Sequence, residues 1–208
     1  MNIACIDLEG VLAPEMWPHV ALHAGIPELA ATTREEPDYP QLMRRRISLL
    51  RQHGLKFLDV QRIVATLPVL EGAADFLSTL RLTYHVLVVS DAFMELAAQF
   101  GPPLGEPEFQ CHRLTVDGDG FIDGCRFLPR RGKEETVRLY QEAGHHILAV
   151  GDAFNDLAML DLADIGFLFR PSPQTVNAAR GLRTVTDYDE ILRVIGHGEH
   201  QSNHLSFS

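Results

Sequence analysis

Apolar runs that end in small or acidic residues recur along the chain, and they indicate where strands lie. The three clearest are Asn2 to Asp7, His85 to Asp91 and His146 to Asp152, followed by a shorter run at Ile165 to Phe169. Arg183 to Thr186 is a candidate for a last short strand. Continuous apolar runs of this length are typical of strands covered on both faces of a parallel sheet. The pattern therefore predicts a buried sheet in which these segments run parallel.

Segments with helical periodicity alternate with these strands. They are Gly72 to Leu82, Ala92 to Phe100, Lys133 to Ala143, Asn155 to Ala163 and Ser172 to Ala179. Alternating strands and helices form βαβ units, which place helices on the faces of a parallel sheet. The predicted fold class is therefore α/β, with a doubly wound, Rossmann-like sheet.

The stretch from Pro14 to about Pro68 departs from this alternation. It has no strong strand pattern and contains three helix-like blocks, Met16 to Ala24, Gln41 to His53 and Phe57 to Thr66. Gly54 is the predicted stop of the second block, because glycine commonly follows a helix end. We expect residues 14–68 to form a helical cap domain inserted after the first strand, and residues 1–13 and 69–208 to form the core domain.

A second departure lies between Phe109 and Arg131, where a small β-hairpin is predicted. Its turn is the sequence Asp117-Gly118-Asp119-Gly120, a strong turn signal. The acids also resemble the start of a calcium loop, but the closing glutamate of such a loop is missing, so a turn is favoured. The polar tail after Gly196 is expected to fray.

Composition narrows the class of protein. The 208 residues are 46% hydrophobic, which is enough for a sizeable core in one domain or one domain with a large insertion. A net charge of -10 argues against nucleic acid as the main partner. We find no apolar stretch of the roughly 20 residues that span a bilayer, no basic secretory leader, and cysteine spacings that suggest neither disulfides nor zinc. The expectation is a cytoplasmic protein with no membrane partner.

Polar side chains lie at the carboxyl ends of the three clearest strands, where ligands bind in open α/β sheets, and Lys133 opens the helix before the third of these strands. The set consists of acids, a hydroxyl, an amide and a lysine: Asp7, Glu9, Ser90, Asp91, Lys133, Asp152, Asn155 and Asp156. Mg²⁺ is usually held by one or two carboxylates together with phosphate and water. A carboxylate such as Asp7 can attack phosphorus covalently, while a lysine offsets the phosphoryl charge. The set predicts phosphoryl-transfer chemistry.

Several roles within this set stay open from the residues alone. Glu9 is placed to act as general acid and base, although an outer metal or structural role is the alternative. Lys133 is the favoured phosphate cation, but Arg130 and Arg131 are nearby candidates. Asp156 is interpreted either as a supporting acid behind the metal ligands or as a charge favoured at a helix start.

Four short motifs resemble, in order, those of the haloacid dehalogenase superfamily. They are DLEGV at Asp7, VVSD ending at Asp91, GKEET around Lys133 and GDAFND ending at Asp156. The helical insert is similar to the cap of the phosphoserine phosphatase branch. The stretches DLEGVLAPE, ATTREEPDY and LMRRRISLL resemble a bifunctional phosphoserine phosphatase/homoserine phosphotransferase subfamily. The chain departs from ordinary phosphoserine phosphatases in having SDAF in place of SGGF.

The resemblance implies a role for each matching residue at the strand ends. Asp7 is the implied nucleophile, and Mg²⁺ is held by Asp7, Glu9 and Asp152 with the backbone carbonyl region of Leu8. Glu9 also takes the acid/base place that an aspartate holds in most of the superfamily. The implied phosphate contacts are Ser90, Asp91, Lys133 and Asn155.

The resemblance also places two residues of the insert at the substrate. Glu15 matches a position that binds the ammonium group of an amino acid, and Arg46 matches one that binds its carboxylate. Arg44 and Arg45 stand beside Arg46, so the phase of this helix decides which arginine points inward. An acid and a planar guanidinium suit a zwitterionic substrate.

The expected function is a magnesium-dependent phosphatase of O-phospho-L-serine, with water or homoserine as the acceptor. One alternative is a phosphatase for another small metabolite, such as a sugar or nucleotide phosphate. The other is a phospho-accepting receiver module. Such a module is about half as long and has its phosphorylated aspartate on a middle strand in chain order, whereas the acidic pair here follows the first strand. The oligomeric state stays open, a homodimer included.

Overall fold

A seven-stranded sheet organises the molecule. The computed structural model describes residues 1–33, 35–179 and 181–202. The strand order is β4-β3-β2-β1-β5-β6-β7, and every neighbouring pair is parallel except β3 and β4. The strands are β1 Asn2–Ile6, β2 His85–Phe93, β3 Glu108–Val116, β4 Ile122–Arg126, β5 His146–Gly151, β6 Ile165–Phe169 and β7 Arg183–Val185. The predicted α/β class with a doubly wound, mainly parallel sheet is confirmed.

Helices lie on both faces of this sheet and in the insert after β1. They are α1 Met16–Ala24, α2 Tyr39–Gln52, α3 Phe57–Val64, α4 Ala73–Leu80, α5 Met94–Ala97, α6 Glu134–Glu142, α7 Leu157–Leu162, α8 Pro173–Ala178 and α9 Tyr188–Ser202. Helices α4, α5 and α9 contribute to an apolar cluster on one face, and α6 and α7 to a cluster on the other. No helix in the described part of the chain is long and apolar enough to cross a membrane.

The position of β1 inside the sheet explains why its apolar residues do not alternate with polar ones. Its side chains point alternately to the two faces, so Ile3 and Cys5 join one apolar cluster and Ala4 and Ile6 join the other. All four are fully buried. A strand covered on both faces must be apolar throughout, as the sequence pattern predicts.

The insert after β1 contains α1, α2 and α3. Helix α2 begins at an Asp38 cap, whose side chain accepts a hydrogen bond of 2.9 Å from the Gln41 amide. It ends at Gln52, two residues before Gly54, which has a φ of +71° and is the predicted stop. Buried residues of the insert, such as Val20 and Val60, belong to the same apolar cluster as one sheet face. The division into a cap of residues 14–68 and a core stays a prediction.

The predicted β-hairpin is formed by β3 and β4. The Asp117 carboxylate accepts hydrogen bonds of 3.0 Å from the amides of Asp119 and Phe121, which makes the acidic motif a turn. The insert docks on this turn, because the Phe57 amide donates to the Gly120 carbonyl at 2.9 Å and Arg51 forms an ion pair with Asp117. β3 also pairs with β2, so the hairpin extends the main sheet, which local patterns did not predict.

Two helix predictions need correction. Helix Ala92 to Phe100 was expected, but β2 runs to Phe93 because Phe93 pairs with His112 of β3, and α5 spans only four residues. After β7 no helix was predicted, yet α9 extends to Ser202, with Ile191 and Ile195 buried on the sheet. The expected frayed tail is therefore wrong as far as Ser202, and residues 203–208 lie outside the described residues.

Candidate active site

The candidate site lies where the direction of strand order reverses. β1 sits between β2 and β5, so the chain leaves β1 towards one side and later crosses to the other. Such a reversal opens a crevice at the carboxyl ends of the strands. Asp7 directly follows β1, Asp152 directly follows β5, and Ser90 lies near the carboxyl end of β2. The predicted strand-end residues therefore meet at one edge of the sheet.

Asp7 is held by a buried lysine. Its Oδ1 accepts hydrogen bonds from its neighbour's backbone, the Leu8 amide at 2.8 Å, and from Lys133 Nζ at 2.7 Å. The same Nζ lies 2.6 Å from Asp156 Oδ1. Burial by itself lowers the pKa of Lys133, but the carboxylates of Asp156 and Asp7 outweigh burial and raise it. Lys133 is therefore charged at neutral pH and joins two of the acids.

Asp156 shapes the loop after β5. It is fully buried, and its Oδ2 accepts hydrogen bonds from the amides of Asp152 at 3.0 Å and Ala153 at 3.1 Å. Because Oδ1 bonds Lys133, both carboxylate oxygens have partners. Gly151 allows this close approach, since a Cβ there would lie 2.4 Å from the Cβ of Asp156. The sequence alone left the role of Asp156 open; the four-residue spacing from Asp152 was the available signal.

Gly10 allows the loop after β1 to pass against Asp152. Its φ is +81°, a conformation that glycine adopts without steric penalty. A Cβ at this position would lie 2.3 Å from Asp152 Oδ2. A glycine directly behind Asp7 and Glu9 is therefore required for both the turn and the position of the second acid.

Three carboxylates form a compact group. One oxygen each from Asp7, Asp152 and Asp156 lies within 4.8 Å of the others. Burial, together with the charge of Asp156, raises the pKa of Asp7 and raises that of Asp152 to about 7. Clustered acidic oxygens that repel one another are a donor set suited to a hard divalent cation. The residues present therefore fit Mg²⁺.

The β2 side of the crevice carries a second polar group. Asp91 Oδ2 accepts from Asn155 Nδ2 at 3.1 Å, and its Oδ1 accepts from Arg130 at 3.1 Å. Arg130 also donates to the Ser90 carbonyl at 3.0 Å, whereas Arg131 is exposed. The Ser90 hydroxyl is buried and accepts from the Ala92 amide at 3.1 Å. Arg130, considered from sequence only as a substitute for Lys133, thus lies beside Asp91.

Glu9 lies at the junction with the insert. Its Oε1 accepts a 2.7 Å hydrogen bond from the Met16 amide at the start of α1, and Glu15 is the cap residue of that helix. Burial, followed by the charge of Glu15, raises the pKa of Glu9 to about 7. Glu9 is not a member of the compact group of three carboxylates. Its carboxylate connects the end of β1 to the insert.

Arg46 is the inward-pointing arginine of α2. It is 4% exposed, whereas Arg44 and Arg45 are exposed. Its guanidinium stacks 4.5 Å from the Trp17 ring and donates to the Ala31 carbonyl at 2.6 Å. Its buried Nε has no hydrogen-bond acceptor among the described residues. The helix phase that the sequence left open is decided by packing on Trp17.

Tyr39 was missed by the sequence analysis. Its hydroxyl donates to the Asp91 carbonyl at 2.8 Å, which ties the start of α2 to the end of β2. Tyr39 lies 52 residues before Asp91 in sequence. No local pattern predicts such a contact, because it depends on how the insert packs on the sheet.

The comparisons with known proteins agree with this geometry. The sequence matches the haloacid dehalogenase-like hydrolase family over residues 1–164. It is 38% identical to phosphoserine phosphatase ThrH of Pseudomonas aeruginosa, over 93% of this chain and 94% of that protein. It is also 38% identical to a phosphoserine phosphatase of Pseudomonas syringae pv. tomato, over 93% of this chain and 81% of the relative.

A solved structure supports the same assignment. The crystal structure of phosphoserine phosphatase from T. onnurineus is 27% identical, with a TM-score of 0.73 and coverage of 93% of this chain and 94% of the other. The chain belongs to the haloacid dehalogenase-like hydrolases. The receiver-module alternative is set aside, because this is a family of enzymes.

Proposed function

We propose that this protein is a Mg²⁺-dependent phosphatase that hydrolyses O-phospho-L-serine through a phosphorylated Asp7. The observation that carries the proposal is the buried Asp7 carboxylate, bonded to Lys133 and grouped with two further acids within 4.8 Å. The phosphoserine phosphatase names of two relatives support the choice of substrate. A cytoplasmic location and a homodimeric assembly stay expectations from the sequence.

Asp7 and Asp152 are the proposed side-chain ligands of Mg²⁺. Both oxygens of Asp156 already accept hydrogen bonds, so Asp156 acts by positioning Lys133 and the Asp152 backbone. The family resemblance adds Glu9 and the backbone carbonyl region of Leu8 to the ligand set. Bound there, Mg²⁺ supplies positive charge against a phosphoryl oxygen and the clustered carboxylates.

In the first chemical step, an Asp7 oxygen forms a bond to phosphorus while the bond between phosphorus and the serine oxygen breaks. Glu9 gives its proton to the departing serine oxygen. A pKa of about 7 keeps a protonated fraction of Glu9 available near neutral pH. Lys133 offsets negative charge on the transferred group, and Ser90, Asp91 and Asn155 line the subsite for its oxygens.

In the second step, Glu9 takes a proton from water as the water oxygen bonds to phosphorus. The bond between phosphorus and Asp7 breaks, which releases phosphate and restores the free carboxylate. Homoserine is the other acceptor that the subfamily resemblance implies. Its hydroxyl replaces water in the same step and yields phosphohomoserine.

Arg46 and Glu15 are proposed to recognise the amino-acid part of the substrate. A guanidinium binds a carboxylate through two parallel hydrogen bonds, and the buried Arg46 Nε is an available donor in the described part of the chain. The acidic Glu15 suits the ammonium group. Stacking on Trp17 holds the guanidinium plane in one orientation.

The test is a substrate panel with Mg²⁺, comparing phosphoserine with sugar and nucleotide phosphates. We expect kcat/KM for phosphoserine to exceed that of the other esters by about a hundredfold or more, because a site built for charged groups rejects substrates that lack them. Faster turnover of a sugar or nucleotide phosphate would overturn the substrate assignment. Adding homoserine and measuring phosphohomoserine against free phosphate decides which acceptor is used.

A further inference from the structure

Asp91 places a carboxylate in the proposed phosphate subsite. It follows Ser90 and accepts a 3.1 Å hydrogen bond from Asn155, and both neighbours are proposed phosphate contacts. Burial by itself raises the pKa of Asp91, but Lys133 and Arg130 outweigh burial and lower it. A charged carboxylate at this position repels an incoming phosphoryl dianion unless a cation offsets it.

Arg130 is the arginine in contact with this carboxylate, and His112 Nε2 lies 3.6 Å from Asp91 Oδ1. Burial lowers the pKa of His112, so the guanidinium is the permanent positive charge of the two. One of its terminal nitrogens lies 3.1 Å from Asp91 Oδ1 and 3.0 Å from the Ser90 carbonyl oxygen. Its side chain is only 8% exposed. Lys133 makes its short contacts with two other acids, Asp7 and Asp156, at 2.7 and 2.6 Å. Lys133 therefore acts on Asp91 from beyond ion-pair distance, whereas Arg130 is in direct contact with it.

A purely structural role does not account for all of Arg130. Its Nε and its second terminal nitrogen are buried and have no hydrogen-bond acceptor among the described residues. Buried donors without acceptors destabilise a fold, by about 1–3 kcal/mol each. A guanidinium that serves only to fix a loop would be expected to use these donors on the protein.

We propose that Arg130 is a second fixed cation of the phosphate subsite, whose charge offsets Asp91 so that the strand ends accept a dianionic phosphoryl group. The inference rests on the proposed phosphatase function. The cluster contains four carboxylates, those of Asp7, Asp91, Asp152 and Asp156. Without Arg130, Lys133 would be the remaining lysine or arginine in direct contact with this cluster among the described residues. Arg130 is a positioning residue in this account, because it acts through Asp91.

The test measures inhibition by inorganic phosphate of p-nitrophenyl phosphate hydrolysis, at saturating Mg²⁺. We expect Arg130→Gln to weaken phosphate inhibition by about tenfold or more, because an uncompensated charge a few ångströms away is worth at least that factor. The double variant D91N/R130Q is expected to return to within about threefold of the natural protein. D91N alone is expected to bind phosphate more tightly, since the positive charge of Arg130 is then unopposed.

Arg131→Gln is the matched control. Arg131 is the adjacent residue in sequence and is exposed, so its removal takes away the same formal charge without touching Asp91. We expect its phosphate inhibition to stay within about twofold of the natural protein, because exposed charges are screened. An equal loss in R131Q and R130Q would overturn the inference.

The double variant separates charge compensation from structural support. If Arg130 only stabilised the loop, D91N/R130Q would bind phosphate as poorly as R130Q or worse, and that result refutes the inference. If R130Q fails to fold in a thermal melt, D91N alone decides, because unchanged or weaker phosphate binding in that variant contradicts the predicted gain.

The assay keeps this inference distinct from the proposed function. The substrate p-nitrophenyl phosphate has no amino-acid part, so failure to hydrolyse phosphoserine would leave the phosphate test intact. If the natural protein hydrolysed neither ester, the proposed function would fail. Calorimetric titration of inorganic phosphate into the Mg²⁺-loaded variants would then give the same comparison.

Discussion

Two acids at the strand ends, Asp7 and Asp156, are buried like the arginine of the insert, but the two regions hold their charged groups in opposite ways. At the strand ends, Lys133 bridges Asp7 and Asp156 at 2.7 and 2.6 Å, and both oxygens of Asp156 have partners. In the insert, Arg46 is held by a ring face and a backbone carbonyl, and its Nε has no acceptor among the described residues.

The difference separates two tasks. Residues on parallel strands are positioned by the backbone of the sheet, so closely spaced carboxylates can be kept together in spite of their repulsion. A guanidinium on an inserted helix is oriented by packing, which leaves a donor for a ligand. We infer that the sheet edge supplies the chemistry and the insert supplies the recognition. The predictions below test that division.

Removing the Asp7 carboxylate should have the largest effect. Asp7→Asn keeps the size of the side chain but removes the proposed nucleophile, so turnover should fall by about 10⁴-fold or more for any phosphate ester. Steady-state assays with phosphoserine and p-nitrophenyl phosphate measure this, with a thermal melt to confirm folding. Retained activity with either ester refutes the nucleophile assignment.

Removing the divalent cation should slow the hydrolysis of phosphoserine and of p-nitrophenyl phosphate to the same extent. We expect EDTA to reduce turnover by about a hundredfold or more and added Mg²⁺ to restore it, because the clustered carboxylates otherwise repel the phosphoryl group. Dialysed protein assayed across a Mg²⁺ titration gives the measurement. Full activity after exhaustive chelation would contradict the metal proposal.

Gly10→Ala should damage the strand-end group without altering the insert. A Cβ would lie 2.3 Å from Asp152 Oδ2, so we expect Mg²⁺ affinity to fall by about 10–100-fold. Gly54→Ala is the matched control, since Gly54 also has a positive φ, +71°, but nothing lies within 4 Å of its Cβ position. The control should lose about 1–2 kcal/mol of stability and keep its Mg²⁺ affinity.

Arg46→Lys should alter recognition and leave the chemistry unchanged. The lysine keeps the charge but loses the planar fork, so we expect kcat/KM for phosphoserine to fall by about 10–30-fold. Hydrolysis of p-nitrophenyl phosphate should change by less than about threefold. Arg45→Lys, on the exposed face of the same helix, is the control. Equal losses with both esters would show that the two regions are not separable.

The last prediction concerns the stability of the metal-free protein and involves no change in turnover. Asp152 and Glu9 each have a pKa raised to about 7, so their ionisation is harder in the folded state than in the unfolded state. The stability that these two groups contribute in their protonated form is fully present below about pH 4, and it is lost as the pH rises through about 7. In EDTA, the unfolding free energy should fall by about 2 kcal/mol for each of the two groups between pH 5 and pH 8, measured by urea denaturation. Added Mg²⁺ should offset the loss, and a metal-free protein that gains stability over this range would contradict the raised pKa values.

The sequence alone determined the central part of the sheet and the position of its chemistry. β1, β2 and β5 are buried on both faces, so each needs a continuous apolar run, and such a run is readable without any partner. Because parallel strands end at one edge, the residues after these runs were expected to converge, as Asp7 and Asp152 do. The family motifs, which are short stretches of consecutive residues, identified the same residues.

Tertiary structure decided what depends on contacts between distant segments. Arg46 points inward and its neighbours outward because α2 packs on Trp17. A run of three arginines does not show by itself which of them faces inward. Arg130 lies beside Asp91, and Tyr39 reaches the same residue from 52 positions away, because the insert and the loop after β4 close over the end of β2. Short-range patterns record burial and turns, whereas these pairings depend on how whole elements pack against one another.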